Sequence, residues 1–490
     1  MKIPSLSLTA LAVSPFLAAG SDHDHGECTH GILYVSDKDS STVRGYDLDG
    51  DLSNLAEVAT ITGLQGDGAL AMDTTPSGLY VVATYWGSEE TGWQDGVVNF
   101  INTGTELHDD HMDTGTPSVL PKAQLDCSPV WHFAGHAGQI SLYCDGSMAK
   151  KVNSSFYILD ESLLGEGVNP YLFNNSLVGS HHGIAIPLST TRVLHSLALD
   201  ERIRGDENAS SLPDHFQVVD PEGNVMHELT NSSDPSSHCT EYHGGSVVDN
   251  TVYMCCADKV LVIKFDPNAD TITTRTINFP STISDAHRCG SIYTSSKSKY
   301  VVSDYADWDD YVPHLAAFPK DATDLTDSDV LVLGETGQCE FKFEHAEGEY
   351  LVVLLSTGVV EFYSYARPDG WELEASTTIE GITDCENATL VVGYMQAFVS
   401  VHATKTIYAI DMSHIDHGEG VEVSSTVLDF SPNDMTVGAV PSGFGCDGHE
   451  EHDNEGEGDN GAATKAPSSA AFRQALVPVM LMAAAFGIVS

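Results

Sequence analysis

The chain has 490 residues, with 21 Lys+Arg against 71 Asp+Glu and a formal net charge of -50 at pH 7. This balance argues against nucleic acid as a partner, because neutralising phosphates requires a basic surface. It favours cations as partners, and the length suits one very large domain or two to three ordinary ones.

Residues 1–20 have the pattern of a secretory signal peptide. Lys2 gives a basic start, the run 3–19 is mostly apolar, and small residues precede Ser21. A short His/Asp-rich arm follows at 21–30, with the sequence S-D-H-D-H-G-E-C-T-H. The candidate metal ligands in this arm are Asp22, His23, Asp24, His25 and His30.

Residues 31–444 predict an all-β domain built from repeats. Short runs rich in β-branched and aromatic residues, such as 32–35 and 79–83, alternate with polar turns such as D-P-E-G at 220–223. Eight strand–turn–strand units begin roughly 47 to 61 residues apart, and about 40–50 residues is typical of four-stranded propeller blades. We predict a single β-propeller of eight blades. Seven blades, with the terminal strands sharing one, and two tandem β-sandwiches are the alternatives.

The stretch 105–113, T-E-L-H-D-D-H-M-D, places two histidines three residues apart around two carboxylates. Imidazole nitrogen and carboxylate oxygen suit a borderline divalent ion such as zinc. An acidic surface loop with incidental histidines is the alternative. The candidate ligands in this stretch are His108, Asp109 and His111.

Several of the 22 histidines stand near glycine between the predicted units. In a propeller, residues just before the innermost strand of a blade line the mouth of the channel, so such positions from successive blades converge. Three or four N/O ligands suffice for zinc, whereas any single histidine is more readily explained as a satisfied surface or core imidazole. The residues concerned are His132 and His136 in W-H-F-A-G-H-A-G, His181 and His182 in S-H-H-G-I-A-I-P, His243 in C-T-E-Y-H-G-G-S and His287 in D-A-H-R-C-G.

The ten cysteines all follow the predicted cleavage point. In an oxidising compartment they predict disulfides before metal ligands. We predict the pairs Cys127–Cys144 and Cys239–Cys256, and a clasp between the two ends, Cys28–Cys446. Five N-x-[ST] sequons agree with export. These candidate glycosylation sites are Asn153, Asn174, Asn208, Asn231 and Asn387.

Residues 445–490 have the pattern of a surface anchor. The acidic, Gly-rich linker and spacer, 445–474, has the composition of a disordered segment. The 16-residue apolar tail, 475–490, is shorter than the roughly 20 residues of a membrane span. Small residues, a polar spacer and an apolar tail match a GPI-anchor signal, with Asn460 as the candidate attachment site. A short membrane-anchoring helix is the alternative. We expect the outer face of the plasma membrane, or the periplasm in a bacterium.

Taken in order, these motifs resemble the AztD family, the periplasmic zinc metallochaperones of bacterial ABC-type zinc uptake. The series is T-G-T-E-L-H-D-D-H-M-D, H-F-A-G-H-A-G, H-H-G-I-A-I-P and C-T-E-Y-H-G-G-S with a cysteine about 17 residues on. The resemblance runs from about 30 to 440 and is clearest between about 95 and 260. It implies a β-propeller, a flexible His/Asp-rich arm and a propeller zinc site.

Carried over by position, the zinc ligands of that family fall among five residues, and the resemblance leaves open which three or four bind. The arm is shorter here, and the GPI-like tail and the sequons indicate a eukaryotic surface, so metal binding carries over better than delivery to a transporter. The five residues are His108, His111, His136, His182 and His243.

The sequence contains no G-x-S-x-G, no H-E-x-x-H and no Gly-rich phosphate loop after a strand, so we predict that the protein is not an enzyme. We expect an extracytoplasmic, metallochaperone-like protein that binds Zn2+, with a zinc-donating or zinc-receiving surface protein as partner. One alternative is a recognition module for glycans or proteins. The aromatic-rich loop W-G-S-E-E-T-G-W at 86–93 would suit the binding of such a partner. The other is a metal-dependent hydrolase.

Overall fold

A computed structural model of the chain describes most of the predicted propeller region. The signal peptide, the arm, the linker and the apolar tail lie outside the described residues. Within the described residues, no helix combines the length and the apolar character needed to cross a membrane. The described residues are 31–438 except 49–51, 89–90, 92–94, 108–111, 128–129, 207, 230–237, 284–286, 295–297, 308–312, 334–336, 345–349 and 416–419.

The strands form eight antiparallel sheets, seven with four strands and one with five, together with one separate hairpin. The fold is therefore the eight-bladed β-propeller that the repeats predicted. From the innermost strand outward, blades 1 to 3 are β35 (Pro432–Gly438), β1 (Ile32–Asp37), β2 (Val43–Asp47), β3 (Ala56–Ile61); β4 (Ala71–Thr74), β5 (Tyr80–Tyr85), β6 (Val97–Asn102) with β9 (Ser118–Val119) and β10 (Leu125–Asp126); and β11 (Val130–His136), β12 (Gln139–Cys144), β13 (Ser155–Asp160), β14 (Tyr171–Ser176). Blades 4 to 6 are β15 (Ala185–Ser189), β16 (Arg192–Leu197), β17 (His215–Val219), β18 (Val225–Leu229); β19 (Gly244–Val248), β20 (Thr251–Cys255), β21 (Lys259–Asp266), β22 (Thr271–Asn278); and β23 (His287–Tyr293), β24 (Tyr300–Asp307), β25 (Pro313–Pro319), β26 (Val330–Val332). Blades 7 and 8 are β27 (Gln338–Glu344), β28 (Tyr350–Leu355), β29 (Val359–Ala366), β30 (Gly370–Thr378); and β31 (Ala388–Gly393), β32 (Gln396–Val401), β33 (Thr406–Asp411), β34 (Glu422–Val427).

The ring closes because the last strand joins the first blade. β35 pairs antiparallel with β1, with Ile32 opposite Gly438 and Val35 opposite Met435. The terminal strands therefore share one blade, as the seven-blade alternative assumed, yet the count stays at eight.

Apolar cores lie between neighbouring blades. Phe100 of blade 2 packs in one buried cluster with Phe133 of blade 3, and Phe362 of blade 7 packs with Val399 of blade 8. Similar clusters join the other neighbouring blades around the described ring. A continuous ring of inter-blade cores, rather than two separate face-to-face cores, rules out the tandem-sandwich alternative.

All innermost strands begin at the same face of the ring. Each blade is a meander of antiparallel strands, and four such strands return the chain to the face from which it started. We call the face where the innermost strands begin the entry face, and the other the exit face. Residues at the start of β11, β15 and β19 consequently share the entry face.

Four disulfides are present among the described residues. Both predicted pairs occur, Cys127–Cys144 and Cys239–Cys256, each with a sequence separation of 17. Two further bonds, Cys255–Cys289 and Cys339–Cys385, join neighbouring blades. The predicted clasp Cys28–Cys446 lies outside the described residues.

Helical structure is limited to short turns in the described part of the chain, and the separate hairpin follows blade 2 at β7 (Thr105–Leu107) and β8 (Met112–Thr114). The helical turns are α1 (Asp200–Ile203) and 3-10 turns at Leu52–Asn54, Glu161–Leu163, Asp327–Asp329 and Cys385–Asn387.

The predicted glycosylation sites differ in exposure. Asn153, Asn174 and Asn208 are exposed and Asn387 is half-buried, whereas Asn231 lies outside the described residues. Glycosylation stays a prediction.

Candidate functional site

Three histidines from successive blades lie together at the entry face. His132 is in β11, His182 precedes β15, and His243 directly precedes β19. The Nε2 atoms of His132 and His182 are 3.0 Å apart, and the ring centroids of His182 and His243 are 5.2 Å apart. We call these three residues the histidine cluster.

Neighbouring acceptors determine where the protons of this cluster lie. His182 Nδ1 is 2.7 Å from Asp145 Oδ2, and His243 Nδ1 is 3.0 Å from the carbonyl oxygen of Gly290. Because a carboxylate and a carbonyl only accept, both Nδ1 atoms carry the proton and donate it. The Nε2 atoms of His182 and His243 are then unprotonated in the neutral rings, which is the form that binds metal. His132 Nε2 accordingly donates to His182 Nε2.

Asp145 is placed by the end of a neighbouring strand. It directly follows β12, which returns to the entry face, and its side chain is buried. Burial raises the pKa of Asp145, and the contact with His182 opposes that rise. Its second carboxylate oxygen, Oδ1, is buried and has no hydrogen-bond partner in the described residues.

Burial keeps two imidazoles of this cluster, those of His132 and His243, neutral. Burial lowers the pKa of His132 well below its usual value, and positive charge on His182 and His243 would lower it further. Burial likewise lowers the pKa of His243 to about 4. Near pH 7 both rings are therefore neutral, as metal coordination requires.

Glycine follows two of these histidines because strands approach closely there. A Cβ added to Gly183 would collide with Ser196 Oγ and the ring of Tyr143, and one added to Gly244 would lie 2.5 Å from the carbonyl oxygen of Gly290. The His-Gly motifs thus mark tight contacts beside the entry face.

His136, one of the predicted ligands, lies at the other end of β11. Four residues at about 3.3 Å per residue separate it from His132 by roughly 13 Å along the strand. Its ring is buried, and Nδ1 is 3.1 Å from the carbonyl oxygen of Pro187. The structure thus brings together the predicted ligands His182 and His243 and adds His132, which the predicted ligand set omitted.

The acidic stretch 105–113 leaves blade 2 at the opposite face. β6 runs parallel to β4, because one strand lies between them, and so ends at the exit face. The hairpin β7–β8 follows there, at the face opposite His182 and His243. The connection 108–111 carries His108, Asp109 and His111 and lies outside the described residues, as do the arm residues Asp22, His23, Asp24, His25 and His30.

Asp145 was missed at the level of sequence, and His132, although named among the histidines near glycine, was left out of the predicted ligand set. The available signal was the cysteine spacing. Cys127 precedes His132 by five residues, and Cys239 precedes His243 by four. Each of these cysteines bonds a second cysteine 17 residues further along the chain. This repeat marks the start of an innermost strand in two blades, and Asp145 directly follows one of the second cysteines.

The cluster is not a preformed metal site. Within the residues that the structure describes, no group of three or more His, Cys, Asp or Glu is arranged to hold a metal ion. In the histidine cluster, two Nε2 atoms face each other instead of a common point. Metal binding therefore needs His132 to release the Nε2 proton and the rings to separate slightly.

A second group of charges comes from the innermost strands of three other blades. Lys342 Nζ lies 2.9 Å from Glu340 Oε1, both in β27. Burial raises the pKa of Asp73 well above its usual value, the charge of Lys342 lowers it and that of Asp434 raises it. Burial and the charge of Glu340 raise the pKa of Asp434 to about 6. One lysine thus faces three carboxyl groups, which we call the channel charge cluster.

His181, the neighbour of His182, has a structural role. Its Nε2 lies 2.6 Å from the Tyr143 hydroxyl and 3.0 Å from Ser196 Oγ. Burial lowers its pKa to about 3. The ring is therefore a neutral hydrogen-bonding group inside the fold.

The buried imidazole of His181 should make stability depend on pH. Its folded pKa lies below the unfolded value of about 6.5, so the unfolded state binds the proton first and stability falls from about pH 6.5 toward 3. We expect the destabilisation caused by His181→Asn to be about 2 kcal/mol smaller at pH 5 than at pH 7, because only the native chain carries this titrating group. Urea unfolding at both pH values measures the difference, and equal destabilisation would contradict it.

Comparisons with known proteins place the fold. No family model matches the chain, and a search of curated proteins finds no match. Apo AztD from Citrobacter koseri is 19% identical, with a TM-score of 0.65, over 84% of this chain and 98% of that one. The periplasmic gluconolactonase PpgL of Pseudomonas aeruginosa is 12% identical, with a TM-score of 0.46, over 84% and 99%. A putative 6-phosphogluconolactonase from Bacteroides uniformis is 8% identical, with a TM-score of 0.47, over 84% and 100%.

These neighbours correct one prediction. From the missing motifs we predicted that the protein is not an enzyme, and this is contradicted: the structures that the comparison matches include two named as lactonases. The same fold carries different functions, so missing motifs of other enzyme classes were no ground for that prediction. At these identities, the similarity to AztD establishes the propeller fold that the chain shares with it.

Proposed function

We propose that the protein is an extracytoplasmic metal-binding propeller whose histidine cluster holds a divalent ion, zinc before others. The observation that carries this proposal is the 3.0 Å separation of His132 Nε2 and His182 Nε2, with His243 beside them. Imidazole nitrogen is a preferred zinc ligand, and three protein ligands suffice for a site with an open position.

The spacing fits zinc after a small adjustment. With Zn–N bonds of about 2.0–2.1 Å and tetrahedral angles, two ligand nitrogens stand about 3.3 Å apart. The observed Nε2 atoms of His132 and His182 are 3.0 Å apart, so a shift of a few tenths of an ångström makes room for coordination. The Asp145–His182 contact supplies the carboxylate that commonly orients a zinc-binding histidine.

An open position suits a protein that passes metal on. Three histidines leave the fourth coordination site to water, to the unpartnered Asp145 Oδ1, or to a ligand from a receiving protein. The similarity to AztD in fold, together with the motif resemblance, supports a zinc-handling role. Four disulfides support an oxidising compartment, and the GPI anchor stays a prediction.

Metal analysis tests this proposal. The secreted chain, expressed without a histidine tag, is stripped with chelator, equilibrated with micromolar zinc and freed of unbound metal. We expect about one zinc per chain from the described site, and fewer than about 0.2 per chain would overturn the proposal. Competing the protein against a chromogenic chelator then measures the dissociation constant.

Asp145→Asn should weaken zinc binding without abolishing it. The amide is a poorer acceptor for the Nδ1 proton of His182, and loss of such an outer partner typically costs about 10–100-fold in affinity. Asp369→Asn, in an exposed turn of blade 7, is the matched control and should bind as the unmodified protein does. Chelator competition on both variants decides, and equal affinities would mean that Asp145 does not orient the ligand.

The open coordination position also favours a second candidate, a metal-dependent hydrolase, because catalytic zinc sites keep one position for water. The zinc-loaded protein is assayed on a panel of lactones and esters, with His182→Ala as control. Turnover that the control lacks would support this candidate. No turnover on the panel, with intact zinc binding, would leave holding or transfer of metal as the function.

A further inference from the structure

His243 is held by two acceptors that belong to different blades. Its backbone N–H donates to the carbonyl oxygen of Cys255 at 3.2 Å, and its Nδ1–H donates to the carbonyl oxygen of Gly290 at 3.0 Å. Cys255 ends β20 of blade 5, whereas Gly290 lies in β23 of blade 6. The direction of this imidazole therefore depends on how the two blades are joined.

A disulfide joins the two blades at this point. Cys255 is bonded to Cys289, the residue directly before Gly290. Both cysteines are buried, so the bond lies inside the fold beside the two hydrogen bonds of His243. The proposed ligand His243 is thus held by a backbone hydrogen bond and a side-chain hydrogen bond to two segments that a covalent bond joins.

A bulge leaves the Gly290 carbonyl oxygen free to accept the hydrogen bond from His243. The pairing of β23 with β24 shifts between Cys289 and Ile292, so Gly290 and Ser291 stand outside the regular ladder. The backbone N–H of Ser291 donates to the half-buried carboxylate of Asp304 instead. Gly290 O is consequently directed toward His243.

A salt bridge ties the same two segments at the surface. Arg288 pairs with Glu241, two residues before His243. Its side chains are 43% and 35% exposed, and exposed pairs of this kind contribute little. The cross-link between the segments thus rests chiefly on the disulfide.

We infer that the Cys255–Cys289 disulfide is a positioning element of the metal site, which directs His243 toward His182 and so sets the affinity for metal. This inference rests on the proposed zinc-binding function. It assigns a site-specific role to one of the disulfides, beyond the general stabilisation that every cross-link provides by restricting the unfolded chain.

The structure offers a matched control. Cys339–Cys385 also joins neighbouring blades, 7 and 8, and spans 46 residues against 34 for Cys255–Cys289. Loops of such similar size should stabilise the fold to a similar extent. The double variants Cys255→Ala/Cys289→Ala and Cys339→Ala/Cys385→Ala are therefore expected to lose similar thermal stability and to differ in the metal site.

The test measures zinc affinity by chelator competition, with folding checked by circular dichroism. We expect Cys255→Ala/Cys289→Ala to bind zinc at least about 10-fold more weakly and the control pair to stay within about 2-fold of the unmodified protein. With cobalt in place of zinc, only the first variant should change the visible absorption of the bound ion, which reports the ligand geometry. Equal affinities in the two variants would overturn the inference.

Two further variants separate positioning from general stability. In a His243→Ala background, removing the Cys255–Cys289 bond should weaken zinc binding no further, because residues acting through one contact are non-additive. Gly290→Ala keeps the disulfide, but its added Cβ lies 3.0 Å from both Asp304 carboxylate oxygens and so presses on the carboxylate that accepts from the Ser291 N–H in the bulge. It should weaken binding even if the cysteine variant does not fold, and unchanged affinity would overturn the inference. Failure of the unmodified chain to bind zinc would instead overturn the proposed function.

Discussion

His182→Ala is expected to reduce zinc affinity by at least about 100-fold, because losing only an outer-shell partner already costs about 10–100-fold. His182 is central to the cluster, with its Nε2 3.0 Å from that of His132 and its ring 5.2 Å from that of His243. Removing it leaves two histidines from blades 3 and 5 with no ligand between them. Chelator competition measures the loss of affinity, and metal analysis should find little zinc retained.

His136→Ala provides the control. His136 is also buried and hydrogen-bonded, so its loss should destabilise the fold, but it lies toward the exit end of β11. We expect its zinc affinity to stay within about 2-fold of the unmodified protein, since roughly 13 Å of strand separates it from His132. If His136→Ala loses zinc and His182→Ala retains it, the site proposed at the entry face is wrong.

The propeller could be predicted because the second and third strands of each blade are apolar runs. The eight predicted units begin within one residue of the second strands, as at 79 for β5 (Tyr80–Tyr85) and 252 for β20 (Thr251–Cys255). Both faces of these strands pack against other blades, which places apolar residues at nearly every position. All six residues of β5 are buried.

The innermost strands could not be predicted in the same way. β19 reads G-G-S-V-V and β23 reads H-R-C-G-S-I-Y, because such strands line the channel and approach their neighbours too closely for bulky side chains. Their His-Gly motifs were therefore placed at boundaries between units. In blade 3 this concealed that His132 and His136 belong to one strand, with only the first near the entry face.

Disulfide prediction had a similar limit. Cys127–Cys144 and Cys239–Cys256 each link the segment before an innermost strand to the end of the second strand of the same blade. A short sequence separation therefore indicates these two pairs. Cys255–Cys289 and Cys339–Cys385 join different sheets. Their pairing depends on which blades are neighbours and on which residues of those blades lie side by side. Spacing along the chain carries no such information.

The second large effect concerns the channel charge cluster. Lys342 bonds Glu340 and also opposes the charges of Asp73 and Asp434. Lys342→Met removes the lysine charge of this cluster and leaves its three carboxyl groups facing one another. Losing one partner of a buried ion pair costs about 3–5 kcal/mol. The Lys342 side chain is 22% exposed, so we expect about 2–4 kcal/mol of lost stability.

This loss should depend on pH, and the direction follows from the carboxyl groups. The pKa of Asp434 is already raised to about 6 by burial and by Glu340, and loss of the lysine charge raises it further. A carboxyl group with a raised folded pKa destabilises the fold above its unfolded pKa of about 3.8, and this destabilisation disappears as pH falls from the folded toward the unfolded value. The effect of Lys342→Met should therefore be largest near pH 8 and should shrink below about pH 6.

Urea unfolding at pH 8 and pH 5 tests the prediction, with Lys264→Met, on an exposed position of β21, as the control. The control should change stability by no more than about 0.5 kcal/mol at either pH. Asp73→Asn added to Lys342→Met removes one of the repelling carboxylates and should recover about 1 kcal/mol or more at pH 8. Lys342→Met behaving like Lys264→Met, or no recovery on adding Asp73→Asn, would mean that these charges do not interact across the channel, and that the innermost strands are held by the inter-blade cores alone.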